Sequence, residues 1–290
     1  MSNAKIDIMI PTLNEAVHVR EAVENARQIG DVFVLDSCST DGTQAIAAEA
    51  GATVVEHEFE GYARQKNWGL RNLPLTGDWV FILDADERMT RSLRDEVQSI
   101  AARDVDMCGY FVNRQLVSMG KRIRHGGLYP SWNLRFFRRG CCYYEERLVH
   151  EHMVCEGPRG YLKHQMIHIN LTTMEEYIHK HIVYADLEAE QWVKEKRGEA
   201  RATDARRLFS ASLGARQMLR RRVWPRMVGR PVLRFMYMYF CRFGFLDGSA
   251  GWRLAMLMAS YEYMIGLLYR DKWIQGNSQE EPDPSSRPIE

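Results

Sequence analysis

Between Ile6 and Glu87, short apolar runs and stretches of helical periodicity alternate four times, and each named polar loop begins where an apolar run stops. Residues 6–10 form a β-branched run closed by Pro11-Thr12-Leu13-Asn14-Glu15, and residues 17–29 follow with helical spacing up to Gly30. Residues 32–35 lead into Asp36-Ser37-Cys38-Ser39-Thr40-Asp41-Gly42, then a helix over 43–50 stopped by Gly51. Val54-Val55 opens a third unit, and residues 79–83 form a fourth run that is apolar throughout. A strand covered on both faces has that composition, because neither side meets water. The alternation predicts an α/β fold, a Rossmann-like and mostly parallel sheet flanked by helices. In such a sheet the loops at the carboxyl ends of the strands form the ligand crevice.

Past residue 105 the pattern shifts to aromatic-rich strands such as 109–112 and 134–137, separated by Gly126-Gly127 and Tyr129-Pro130 turns, which predicts a mixed sheet edge. Residues 174 to 222 have the pattern of a long charged helix, and residues 232–269 are strongly apolar but broken at Gly244 and Gly248. A chain of 290 residues with this order is expected to hold a catalytic α/β domain over 1–172 and a helical, basic and amphipathic C-terminal extension over 173–275. A disordered tail is expected over 276–290, whose Pro, Ser and Glu content offers almost nothing to bury.

The six cysteines, at 38, 108, 141, 142, 155 and 241, lack C-x-x-C spacing, and the start has no basic segment leading into an apolar run, so a reducing cytoplasm is expected. The net charge of +1 conceals an asymmetry: residues 194–234 carry 13 Lys and Arg against three acids. Such a block favours a polyanion, either nucleic acid or an anionic membrane surface.

Asp84-Ala85-Asp86 ends the fourth apolar run and sends two carboxylates into the predicted crevice. Like charges there repel unless they share a cation, and Mg²⁺ or Mn²⁺ suits oxygen ligands and bridges to phosphate oxygens. A surface turn with two acids is the plain alternative. The Asp36 and Asp84 carboxylates both stand as hydrogen-bond acceptors at strand ends. Structural roles compete at each position: Pro11 as a strand stop, Asn14 as a helix cap, Asp36 with Asp41 as an Asx turn. Lys66 and the Arg124-His125-Gly126-Gly127 stretch supply cations for a diphosphate or an anionic acceptor, or else a solvated turn. His179 and His181 lie two residues apart on a helix, which points them away from each other and discounts them as a metal pair.

Taken together, Pro11 through Glu15, Asp36, Gln65-Lys66-Asn67 and Asp84-Ala85-Asp86 resemble family 2 glycosyltransferases. The resemblance implies the GT-A fold and a nucleotide-diphosphate sugar donor, UDP-linked. It places the nucleotide on Pro11, Thr12, Leu13, Asn14, Glu15, Asp36, Lys66, Asp84 and Ala85, and the metal on Asp86. Family members often add a late histidine ligand, here His168, whose apolar neighbours also suit a core histidine. The catalytic base that deprotonates the acceptor hydroxyl is assigned to Glu151 in Val149-His150-Glu151-His152, with Glu145 and Glu146 as competitors. The family's usual Glu-Asp pair is missing there. Arg124 and His125 are assigned to the acceptor or the diphosphate.

Over residues 6–268 the chain is similar to the branch of lipopolysaccharide inner-core β-glucosyltransferases and related enzymes of lipid-linked sugars. The carriers are residues 57–67, 83–88 and 124–130, His150-Glu151, and Gly244-Phe245-Leu246-Asp247-Gly248. That implies inversion at the anomeric carbon and a lipid-linked saccharide acceptor at the inner face of the cytoplasmic membrane. Leu254, Leu257, Met258, Tyr261, Ile265 and Leu268 share one helical face, while Arg253 and Glu262 interrupt any span. Arginines 220, 221, 222, 226, 230 and 234, interleaved with Trp224, Phe235, Tyr237, Tyr239 and Phe240, suit anionic headgroups. Peripheral membrane association is therefore expected, with packing onto the catalytic domain or into a homo-oligomer as the alternative. A nucleic-acid-binding protein using 194–234 is the competing function; the strand-end acids oppose it, and no nucleic acid is expected. Nucleotidyl transfer would need a glycine-rich, basic first loop in place of Pro11 to Glu15.

Overall fold

The computed structural model describes residues 5–103, 106–118, 120–145, 153–169, 174–197, 227 and 229–278. The chain forms two compact units, Met1–Leu171 and Thr172–Glu290.

In the first unit the expected alternation is met as β1 (Ile6–Thr12), α1 (Val19–Ala26), β2 (Asp31–Asp36), α2 (Thr43–Glu49), β3 (Thr53–Glu56), α3 (Tyr62–Asn72) and β4 (Trp79–Ile82). Strands β3, β2, β1 and β4 lie side by side and parallel. The two-residue period of a strand sorts its side chains to opposite faces. Ile8, Ile10, Val32, Val34, Trp79 and Phe81 join one core with Val19, Ala22 and Val23 of α1. Their neighbours Met9, Phe33, Leu35, Val80 and Ile82 join a second core with Ala63 and Leu73. Each such side chain contributes about 1.5–3 kcal/mol on burial, so a sheet apolar on both sides is stable only between two layers. Helix α1 starts at Val19, two residues later than periodicity suggests, because Glu15 and Ala16 are held by the next loop through their N–H groups.

The sheet continues through β5 (Glu87–Met89), β6 (Gly109–Ser118), β7 (Lys121–Arg122), β8 (Trp132–Arg138) and β11 (Arg159–Ile169); helix α4 (Arg91–Ala101) packs Leu93 and Val97 into the first core. Its order beyond β4 is β8-β6-β11-β5, with β8 antiparallel to β4 and β6, β11 parallel to β6, and β5 antiparallel to β11. The mixed edge is thus present. Although β5 follows β4 by only a few residues in sequence, β8, β6 and β11 lie between them in the sheet, so residues 83–86 bridge the ends of three strands. Beside this sheet, β9 (Cys142–Tyr144) and β10 (Met153–Cys155) form a hairpin closed by a Cys142–Cys155 disulfide. Cysteine spacing alone pointed to a reducing compartment and gave no hint of that bond; partners brought together by strand pairing cannot be found from spacing.

The second unit contains α5 (Met174–Arg197), α6 (Arg230–Met236), a π turn over Tyr237–Cys241, a 3₁₀ turn over Gly244–Asp247, and α7 (Ser249–Ser278). Helices α5 and α7 pack together: His181 meets the Tyr261 ring at 5.5 Å, Trp192 meets Tyr269 at 6.0 Å, and Lys272 pairs with Asp186 at 3.0 Å. Leu254 and Ile265 are buried, and Leu257, Met258, Tyr261 and Leu268 are half-buried, so the stripe expected to meet a membrane packs within this unit. Helix α7 also runs past Gly276 to Ser278. The remaining tail, and most of the basic 194–234 block including Arg220 to Arg222, Trp224 and Arg226, lie outside the described residues. Among the described residues no helix is long and apolar enough to cross a membrane.

Candidate active site

The loops after β1 and β2 are stitched together. Asn14 takes a left-handed backbone (φ 55°), a conformation Asn tolerates better than most residues. Its N–H donates to Ser39 Oγ at 2.8 Å, and its Oδ1 accepts from the Thr40 N–H at 3.0 Å. The Glu15 N–H donates to Thr43 Oγ1 and the Ala16 N–H to Asp41 Oδ2. Asn14 therefore joins two loops instead of capping a helix. Asp36 is fully buried at the centre, accepting from Thr12 Oγ1 (2.7 Å), the Ser39 N–H and Oγ (both 2.7 Å) and Gln44 Nε2 (2.8 Å). Burial pushes its carboxyl upward, but the hydrogen bonds from Ser39, Thr12 and Gln44 outweigh this and hold it below its ordinary value. A carboxylate has about four acceptor positions, and four donors already occupy them, so a base N–H would replace one.

Gln65, Lys66 and Asn67 on α3 divide their work. Buried Gln65 donates to Ser37 Oγ and to the His57 carbonyl, while buried Asn67 pairs with the Tyr144 backbone in both directions at 2.8 Å. Between them Lys66 reaches to 4.0 Å from Asp84 Oδ1, and its ammonium lies 5.1 Å from the Tyr144 ring centroid.

At the 83–86 bridge, each strand crossed supplies a partner. From β8, Arg135 donates to Asp84 Oδ1 and Oδ2 at 3.3 and 2.5 Å and to Glu87 Oε1 at 3.0 Å. From β6, Arg114 lies 3.6 Å from Glu87. From β11, His168 Nδ1 lies 3.3 Å from Asp86 Oδ1. Glu87, at 0% exposure, also accepts from the Asp84 N–H, which clasps the turn. Burial would raise the Asp84 carboxyl, but Arg135 and then Lys66 hold it well below the carboxylate range. Burial, aided by Asp84, pushes Glu87 up against the pull of Arg135 and Arg114. Arg135 itself stays protonated, since Asp84 and Glu87 outweigh its desolvation.

From sequence, Asp84 and Asp86 are expected to repel each other until they share a cation. The structure corrects that premise, because Arg135 already neutralises Asp84, while Asp86 faces a different neighbour. The His168 Nδ1 approach to Asp86 lacks hydrogen-bond geometry, and that ring nitrogen is buried without a hydrogen-bond partner. Oxygen and nitrogen ligands bound at about 2.0–2.2 Å stand about 3 Å apart when adjacent on one ion, so this pair fits a divalent cation. Buried His18 lies within electrostatic reach of the same corner: burial lowers its pKa against the opposing pull of Asp86. Among the described residues no three His, Cys, Asp or Glu side chains are arranged around one metal position. A two-ligand site still suits Mg²⁺, which is commonly held by one or two carboxylates together with substrate phosphates.

Leu13 is exposed on the first loop. Arg124, exposed, and His125, half-buried, lie on the loop joining β7 to β8, where Gly126 and Gly127 both take positive φ. Glu145 is half-buried just past β9, while Glu146 and Glu151 fall outside the described residues. Sequence reasoning missed Arg135, Arg114 and His18. Arg135 had a signal: a charge inside the apolar run Leu134 to Phe137 is stable only if paired.

The profile described as Glycosyl transferase family 2 matches residues 7–155. The Lipopolysaccharide core biosynthesis glycosyltransferase LpsC of Rhizobium meliloti (strain 1021) is 30% identical over 196 residues, spanning 65% of this chain and 72% of that protein. The uncharacterized glycosyltransferase RC0292 of Rickettsia conorii (strain ATCC VR-613 / Malish 7) is 41% identical over 99 residues, 34% of each chain. Among solved structures, glucosyl-3-phosphoglycerate synthase from Mycobacterium tuberculosis shares 20% identity over 39% of this chain and 45% of its own, with a TM-score of 0.35, too slight a likeness to bear on the site.

Proposed function

This chain belongs to glycosyl transferase family 2, and we propose that it moves a sugar from a UDP-linked donor to a lipid-linked saccharide acceptor, with inversion at the anomeric carbon. The observation that carries this reading is the division of labour on the 83–86 bridge, where Asp84 is held by Arg135 and Lys66 while Asp86 stands beside an unsatisfied His168 nitrogen. Pro11 to Glu15 and Asp36 shape the nucleotide side, with Asp84 and Ala85 toward the ribose. Lys66 offsets the charge of the diphosphate, and Arg124 and His125 meet the diphosphate or the acceptor. Asp86 and His168 would hold Mg²⁺ or Mn²⁺. When bound, that ion neutralises charge building on the departing nucleotide diphosphate. Glu151 receives the acceptor's proton as its oxygen attacks the anomeric carbon. The role named for the Rhizobium meliloti relative supports a lipopolysaccharide-type acceptor, presented at the cytoplasmic face of a membrane on which this protein sits peripherally. The competing nucleic-acid function loses its ground to the family match.

Thermal-shift titration with UDP-sugars, with and without Mn²⁺, tests the reading. The native chain should be stabilised by UDP-sugar far more when Mn²⁺ is present. Asp86→Ala should lose that metal-dependent increment and lower transfer on the order of a hundredfold or more, the scale of losing a transition-state charge stabiliser. Undiminished turnover in this variant would refute the assignment.

A further inference from the structure

We infer that the surface of the second unit that meets the bilayer is the outer stripe of α7 together with the turn before it; this rests on the membrane-side acceptor proposed above. Trp252, Met256, Tyr263, Leu267 and Ile274 are 47, 45, 58, 49 and 63% exposed. At about 100° and 1.5 Å per residue they occupy a sector roughly 60° wide and about 33 Å long. This is the opposite side of the helix from buried Leu254 and Ile265. With the opposite side packed within the unit, an apolar stripe of that length can lie in the plane of an interface without crossing it.

The turn extends the same surface. Phe240, Phe243, Phe245 and Leu246 are all exposed, and Phe243 holds a left-handed backbone at φ 56°, an uncommon conformation for a bulky residue. The turn is built against the start of α7: a Cβ on Gly251 would stand 1.9 Å from the Gly244 carbonyl oxygen, so only glycine permits the approach. Trp252 joins turn and stripe, its ring 5.2 Å from Tyr239 and 4.9 Å from Phe235, and Tyr239 in turn contacts Phe245. Exposed Arg242, Arg253 and Arg270 outnumber exposed Asp271 along this surface. Aromatic rings beside arginines match the depth at which acyl chains give way to anionic headgroups. A second copy of the chain would instead bring two surfaces of the same net positive charge together.

The 290-residue chain is mixed with vesicles of phosphatidylcholine containing about 30% phosphatidylglycerol and sedimented, beside Phe243→Glu/Leu246→Glu and Met256→Glu/Leu267→Glu variants whose fold is checked by circular dichroism and by UDP binding. The native chain should sediment with the vesicles, and each variant should bind at least tenfold more weakly while retaining UDP binding. A native chain that stays in the supernatant with every vesicle overturns the membrane reading itself. Native binding with both variants undiminished leaves that reading standing and overturns this surface. Native self-association that the variants abolish, with vesicle binding unchanged, assigns the surface to a second copy and equally overturns the inference.

Discussion

Arg135 is the residue on which the 83–86 bridge depends, and its two carboxylate partners respond differently to its loss. Glu87 has no exposure, whereas the Asp84 side chain keeps 30% of its own. Arg135→Met should therefore cost about 3–5 kcal/mol, as expected when one partner of a buried pair is removed, by leaving Asp84 and buried Glu87 side by side without their shared counter-charge. Adding Glu87→Gln should recover part of that loss in urea denaturation, because the stranded charge is gone; a double variant no more stable than the single would locate the cost elsewhere. Asp36 makes a second residue-scale prediction. Its folded pKa lies below the ordinary value of 3.8, so it contributes stability above that pH and loses it as pH falls through the lower folded value. Asp36→Asn should melt lower than the native chain at neutral pH, with the difference shrinking below pH 4. A gap that stays constant down to pH 2 would contradict this. The residue types at these positions were legible because an acid ending an apolar run invites a ligand. Their partners were not, since Arg135 and His168 come from strands far along the chain and meet Asp84 and Asp86 only through sheet order.

At the scale of elements, strands with strict apolar character could be placed from sequence, and β1, β2 and β4 fall where periodicity puts them. Strand β5 could not, because Glu87-Arg88-Met89 carries no alternation and is held by pairing with β11. Helix α7 shows the converse difficulty. Apolar residues occupy both of its faces, so periodicity finds a stripe but cannot say which side turns inward. The β9–β10 hairpin was also hidden, and it has a functional consequence: it flanks residues 146–152, which contain Glu151, and is fixed by Asn67 on one strand and the Cys142–Cys155 bond across both. Closing a loop with a sequence separation of 13 is worth about 3 kcal/mol in the chain-entropy account. Cys142→Ser/Cys155→Ser should lower the melting temperature by several degrees and speed proteolytic cleavage within 146–152, read by mass spectrometry. Unchanged cleavage would mean that Asn67 alone holds the hairpin.

For the whole molecule, the two compact units carry different parts of the proposed activity. Every residue assigned to the nucleotide, metal and base lies in Met1–Leu171, and the exposed aromatic surface lies in Thr172–Glu290. Each unit has its own packing, the first between two faces of a sheet and the second between α5 and α7. Domains with separate cores need not melt as one cooperative unit. A ligand that binds only one folded unit stabilises that unit by RT ln(1 + [L]/Kd), about 2.7 kcal/mol at a hundredfold excess over Kd. Calorimetry should therefore resolve two transitions, and UDP with Mn²⁺ should raise one while leaving the other in place. Anionic vesicles should raise the complementary transition. If UDP with Mn²⁺ moved both together, the units would unfold as one body, and nucleotide binding in the first would be linked energetically to the membrane surface of the second.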